Sequence, residues 1–72
     1  MTTRTDDRIE AARLVERLVR RHGSVLAAAR AYAFRFDKVE RSSQRLFWRL
    51  RSARHVPHPG TMARLRTLAE EE

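Results

Sequence analysis

Four residues set what this chain can fold into: Gly23, Pro57, Pro59 and Gly60, the only glycines and prolines in 72 residues. Glycine supplies left-handed stops and proline breaks helices, so these positions mark where regular structure must pause. Between the pauses the apolar residues recur at three- and four-residue intervals, and no segment alternates as a strand does. The spacing therefore predicts an all-α domain, a compact bundle of four to five helices. One small domain over residues 1–72 is expected, with residues 1–6 and 70–72 as frayed ends.

The first helix is read at residues 7–22. Thr5, Asp6 and Asp7 offer cap oxygens, Ile9, Ala12, Leu14, Val15, Leu18 and Val19 form an apolar stripe, and Arg20, Arg21 and His22 complement the terminal dipole. Ser24 recaps a short second helix through about Ala33, in which Ala27, Ala28, Ala29, Ala31 and Ala33 permit close approach of a neighbour. The third helix has two candidate starts. Asp37 with Glu40 resembles a capping box and would begin it at Lys38; Ser42 or Ser43 would begin it at Gln44. The earlier start puts Val39, Ser43, Leu46, Phe47, Leu50 and Ala53 on one face and is preferred. Past the proline-rich break, Thr61 caps a last helix with Met62, Leu65, Leu68 and Ala69 as its stripe.

Charge is unevenly distributed. Residues 1–31 hold seven arginines against four acids, residues 32–68 hold nine cations against Asp37 and Glu40, and three glutamates close the chain. From Arg41 to Ala69 there are seven arginines and two histidines and no acid at all. A solvated surface normally mixes both signs, so this run points to a polyanionic partner, most simply nucleic acid. Fifteen of the sixteen cations are arginine, which suits bidentate phosphate and guanine contacts, although a GC-rich genome also favours arginine codons. The absence of cysteine excludes disulfides and thiolate metal sites, and no apolar run is long enough to span a bilayer. The N-terminus has no signal-peptide pattern, so a cytoplasmic protein is expected.

On a helical wheel the outward face of the third helix presents Arg41, Gln44, Arg45, Trp48, Arg51 and Ser52, with Lys38 and Arg49 flanking. Arginine reads guanine and glutamine reads adenine in a major groove that admits a helix. Gln44, Arg45 and Arg41 are the candidate base-contacting residues. Ser24, Lys38, Ser42, Ser43, Arg49, Arg51, Arg54 and His55 are the candidates for the DNA backbone. Trp48 lies on the exposed face of the wheel, yet a tryptophan in so small a domain is more often core or interface, and that is the expectation. His55 and His58 read as loop residues, because two histidines without a third ligand do not make a zinc site. Arg13, Arg17, Arg20 and Arg21 read as the solvated face of the first helix, with Glu16 and Arg20 an i,i+4 pair.

The run Ser43-Gln44-Arg45-Leu46-Phe47-Trp48-Arg49-Leu50, followed by Ala53, Pro57, Met62, Leu65, Leu68 and Ala69, resembles the second half of the Cro/C1-type (XRE-like) helix-turn-helix family. Ser24 with Ala28 and Ala29 resembles its positioning helix, and the likeness covers about residues 10–69. It implies a lambda-repressor-like bundle and a small regulator of phage, plasmid or mobile-element type. Such a regulator would bind a palindromic operator on double-stranded DNA as a homodimer and act as a repressor. Two features depart from the family: Phe34–Ser42 lengthens the connection between the two key helices, and Leu50 and Ala53 stand where many members have Trp and Gly. Candidate dimer surfaces are the last helix around Met62, Leu65 and Leu68, or the exposed part of the first. No nucleophile–base arrangement or phosphate loop is present, so no enzyme, cofactor, metal, membrane partner or small-molecule ligand is expected. The rival reading is a basic adaptor or inhibitor docking on an acidic protein surface, with Phe47 and Trp48 as anchors. RNA binding ranks third.

Overall fold

The computed structural model describes residues 4–71 and the side chains from residue 7 onward. Four helices follow one another: α1 (Arg4–His22), α2 (Val25–Phe36), α3 (Glu40–Arg51) and α4 (Pro59–Glu70). α1 is already helical at Arg4, so Thr5, Asp6 and Asp7 lie in its first turn rather than ahead of it. Whether the side chains of Thr5 and Asp6 cap anything lies outside the described residues.

Each helix turns one stripe inward, and the four stripes make one core. α1 contributes Ala11, Val15 and Leu18, all fully buried, on the i, i+4, i+7 spacing that keeps residues on one side. Ala11 replaces Ile9 in the expected stripe; Ile9 is 42% exposed. α2 brings Val25, Ala28, Ala29, Tyr32 and Ala33, and α3 brings Ser43, Phe47 and Leu50. From α4 come Thr61, Met62, Leu65, Leu68 and Ala69. The small alanines of α2 let α3 pack closely, and this is the most extensive helix pair of the fold. Tyr32 is the hub: its ring stands 5.1 Å from Phe36 and 5.5 Å, edge-on, from Phe47. α1 packs on the other three helices, α2 also meets α4, and α3 and α4 do not pack on each other.

The connections are short and each has a local cause. Gly23, at φ +98°, ends α1 with its N–H on the Val19 carbonyl at 2.8 Å. Ser24 then caps α2, its Oγ accepting from the Ala27 N–H at 3.0 Å. α2 runs three residues past Ala33, since Phe36 finds a partner in Tyr32. It ends at Asp37 in the left-handed region, with the Lys38 N–H on the Ala33 carbonyl at 2.8 Å. That closure is a Schellman-type stop, and aspartate tolerates the conformation better than most residues. The capping-box reading of Asp37 and Glu40 is therefore corrected: Asp37 closes α2, and α3 begins at Glu40 behind Val39, which provides no side-chain cap. Neither expected start, Lys38 or Gln44, is right, and only residues 37–39 separate α2 from α3.

After Arg51 the chain turns through Ala53, an alanine at φ +60°, and reaches a buried Pro57. Pro59 occupies the first turn of α4, where its missing N–H is no loss. His58, not Thr61, is the cap: its Nδ1 accepts from the Gly60 N–H at 3.1 Å. Thr61 is instead buried. Met62, Leu65 and Leu68 are no more than 5% exposed, which removes them as a dimer surface.

Candidate nucleic-acid interface

The geometry of α3 follows from which of its residues face the core. With Ser43, Phe47 and Leu50 inward, the opposite crest carries Arg41, Arg45, Trp48 and Ser52. Gln44 and Arg51 fall to the side facing α1 and the start of α2, and Lys38 and Ser42 fall to the side facing α4. Arg41, Arg45 and Arg49 are exposed and make no ion pair among the described residues. The same holds for Lys38 and for Arg54 in the following loop.

Of the two expected places for Trp48, core or interface, the core is ruled out. Trp48 is 60% exposed and is not core. It forms one wall of a groove with Leu26, Val19, Ser24 and Gln44, and the Arg51 guanidinium lies 5.6 Å from its ring centroid. The fold thus brings Ser24, from the start of α2, to the same groove as Gln44. Lys38 and Ser42 line a different groove, on the far side of the crest.

Two of the expected backbone-contacting residues do not stand free. Ser43 is 2% exposed and its Oγ donates to the Val39 carbonyl at 3.0 Å, so it is a packing residue that cannot reach a duplex. Its helical register put it inward; its sequence position after Ser42 had suggested a cap. Arg51 lies 3.3 Å from Glu16 of α1, an exposed ion pair that competes with a phosphate contact. Ser42, Arg49, Arg54 and His55 are exposed, as a backbone-contacting role requires.

Four glutamates, Glu10, Glu16, Glu40 and Glu71, are tied to arginines. Arg66 donates twice to Glu10 at 2.7 and 2.8 Å, and Arg35 grips Glu71 through Nε and Nη2. The hydrogen bonds from these guanidiniums hold the Glu10 and Glu71 carboxyls below their ordinary value. Arg30 pairs with Glu40 at 2.9 Å across the α2–α3 turn. Glu16 also lies 3.8 Å from Arg20, the expected i,i+4 pair. Arg21 is not simply solvated: its Nη1 donates to the Ala69 carbonyl at 3.2 Å. These pairs could not be read from the charge run, because the partners lie up to 56 residues apart.

Among the described residues no three His, Cys, Asp or Glu side chains converge as metal ligands. No described helix is long and apolar enough to cross a membrane. Compared with family models, curated proteins and solved structures, the chain shows no match.

Proposed function

We propose that the chain binds double-stranded DNA in a sequence-dependent way, with α3 in the major groove, and regulates transcription as a small repressor resembling the Cro/C1 type. One observation carries this reading: the crest of α3 presents Arg41 and Arg45 outward, unopposed by a carboxylate, with Gln44 on the flank toward α1 and the start of α2. The tight three-residue turn between α2 and α3 supports it, since it shortens the connection that had set the sequence apart from the family. Arg45, Arg41 and Gln44 read base edges, while Ser24, Lys38, Ser42, Arg49, Arg54 and His55 meet the phosphates. A palindromic operator would require a second copy. With the inward face of α4 occupied by the core, the exposed side of α1 remains the candidate surface for it.

The test is a gel shift on the intergenic DNA upstream of the chain's own gene, with random duplex and RNA as competitors. Affinity is expected to fall steeply with salt as phosphate contacts release counterions. Arg45→Ala should remove about 1–3 kcal/mol of discrimination, and Arg54→Ala should weaken all duplexes alike. Equal losses on operator and random DNA for Arg45→Ala would end the base-reading role. If no duplex is preferred, the exposed Trp48 beside Leu26 favours the second reading, an adaptor on an acidic protein surface.

A further inference from the structure

α3 and α4 do not pack on each other, and the gap between them is a groove of about 280 Å³. Nothing in the sequence suggests a small-molecule ligand there, because its walls come from residues far apart in the chain. The polar side chains that line it are an ammonium, a guanidinium and hydroxyls. Arg64, part-buried, donates from Nε to the Tyr32 hydroxyl at 2.8 Å and from Nη2 to Thr61 Oγ1 at 3.3 Å. Both hydroxyls accept in these bonds, so their own protons remain to be donated, and neither finds an acceptor among the described residues. The Lys38 ammonium and the Ser42 hydroxyl stand at the rim. No carboxylate lines the groove, and Arg64 forms no ion pair among the described residues. A half-buried guanidinium without a counter-charge, oriented by two hydroxyls whose protons are unused, is an anion seat. Val39 and Leu46 supply apolar walls beside it.

We propose that this groove binds a small organic anion, a phosphate ester or carboxylate carrying one apolar ring or short chain. Arg64 and Lys38 would hold the charge, Tyr32 and Thr61 would donate to it, and Val39 and Leu46 would cover the apolar part. The volume suits a single-ring ligand and not a nucleotide-sized one. A ligand seated there touches α2, the turn into α3 and the start of α4 at once, and so ties down the element that presents Arg41 and Arg45. The inference does not require DNA binding, although Lys38 and Ser42 are shared with the phosphate contacts proposed above.

The probe is phenyl phosphate, titrated into the full chain and followed by amide chemical shifts, with benzyl alcohol as the neutral control. Saturable shifts are expected around Val39–Ser43 and Thr61–Arg64 with phenyl phosphate and not with benzyl alcohol. Arg64→Gln and Lys38→Gln should each weaken binding by about tenfold, the loss of one charge-assisted contact. Lys38 is exposed, so its variant keeps the test decisive if Arg64→Gln perturbs the fold. Equal binding of benzyl alcohol, shifts centred on Arg41 and Arg45, or indifference to Lys38→Gln would each overturn the proposal. Equal binding of inorganic phosphate would show that the apolar walls read nothing and would overturn it as well.

Discussion

The outward crest of α3 and the seam between α1 and α4 carry the same residue type and use it in opposite ways. Along the seam Arg66 is committed to Glu10, and at its C-terminal end Arg21 is bonded to the Ala69 carbonyl. On the crest Arg41 and Arg45 are exposed and make no ion pair among the described residues. The acid-free run from Arg41 to Ala69 is therefore not one electrostatic surface. Arg66 is paired with Glu10 and Arg64 is turned into the groove by neutral hydroxyls, whereas Arg41, Arg45, Arg49 and Arg54 project from the surface. Charge counted along a chain measures what is present; folding decides how much of it still acts at a distance.

The sharpest way to break this contrast uses two neighbours on α3. Phe47 is fully buried against Tyr32, so Phe47→Ala should cost about 3–5 kcal/mol and leave little folded protein in a thermal melt followed by circular dichroism. Trp48→Ala should change stability by no more than about 0.5 kcal/mol, because its ring is mostly in solvent. If the two variants melt alike, the inward and outward faces of α3 have been misassigned.

Binding provides the next test. Replacing Arg41 and Arg45 together with alanine should lower the salt slope of duplex binding by about 1 for each contact that includes a phosphate, and should weaken operator affinity with the fold intact. Arg66→Ala should leave duplex affinity unchanged and lower stability only slightly, because its ion pair is solvent-exposed. Comparable loss of duplex binding in both variants, read by fluorescence anisotropy, would erase the distinction between seam and crest.

Ala53→Gly probes the turn that ends α3. Alanine at φ +60° is strained by about 1–2 kcal/mol, and glycine removes that strain at some loss in unfolded-state entropy. A net gain of about 0.5–1 kcal/mol in a denaturant titration is expected, with duplex affinity unchanged.

The smallest effect concerns acid. Glu10 and Glu71 have their carboxyl pKa lowered by hydrogen bonds from Arg66 and Arg35, relative to an ordinary value of 4.5. A depressed folded-state pKa means that the stabilisation is complete above that ordinary value and is lost as pH falls through the folded one. Both pairs are solvent-exposed, so the effect is slight. Changing both glutamates to glutamine should flatten the decline of the urea midpoint between about pH 6 and about pH 3, while the crest arginines make no difference to it.

Much of the architecture was legible because it depends on neighbours in sequence. Gly23 stops α1 through its own φ, Ser24 caps α2 through a residue three positions on, and the Met62, Leu65, Leu68 and Ala69 stripe follows from helical spacing. The start of α3 was not legible, since Asp37 suits both a helix start and a left-handed stop. Packing of Phe36 on Tyr32 carried α2 onward and settled that choice in favour of the stop. Gln44, Arg45 and Arg41 were placed outward by register; the structure keeps Arg41 and Arg45 there and turns Gln44 to the flank, partly buried toward α1 and the start of α2. Ser43 was placed on the inward face by register and is buried there, so its second assignment to the DNA backbone, from the alternative start at Gln44, fails.

By itself, then, the sequence determined an all-helical chain, the breaks at Gly23 and at Pro57–Gly60, and an excess of arginine with few acids to balance it. Those follow from backbone preference, helical period and composition, all of which act over a few residues or over none. Only the tertiary structure decided that Glu10 meets Arg66, that Glu16 meets Arg51, and that Tyr32, Arg64 and Thr61 share one groove. These partners are separated in the chain and become neighbours only when the buried stripes close on one another. The sequence determined how much charge there is; the packing of α1 and α4 decided which of it faces outward.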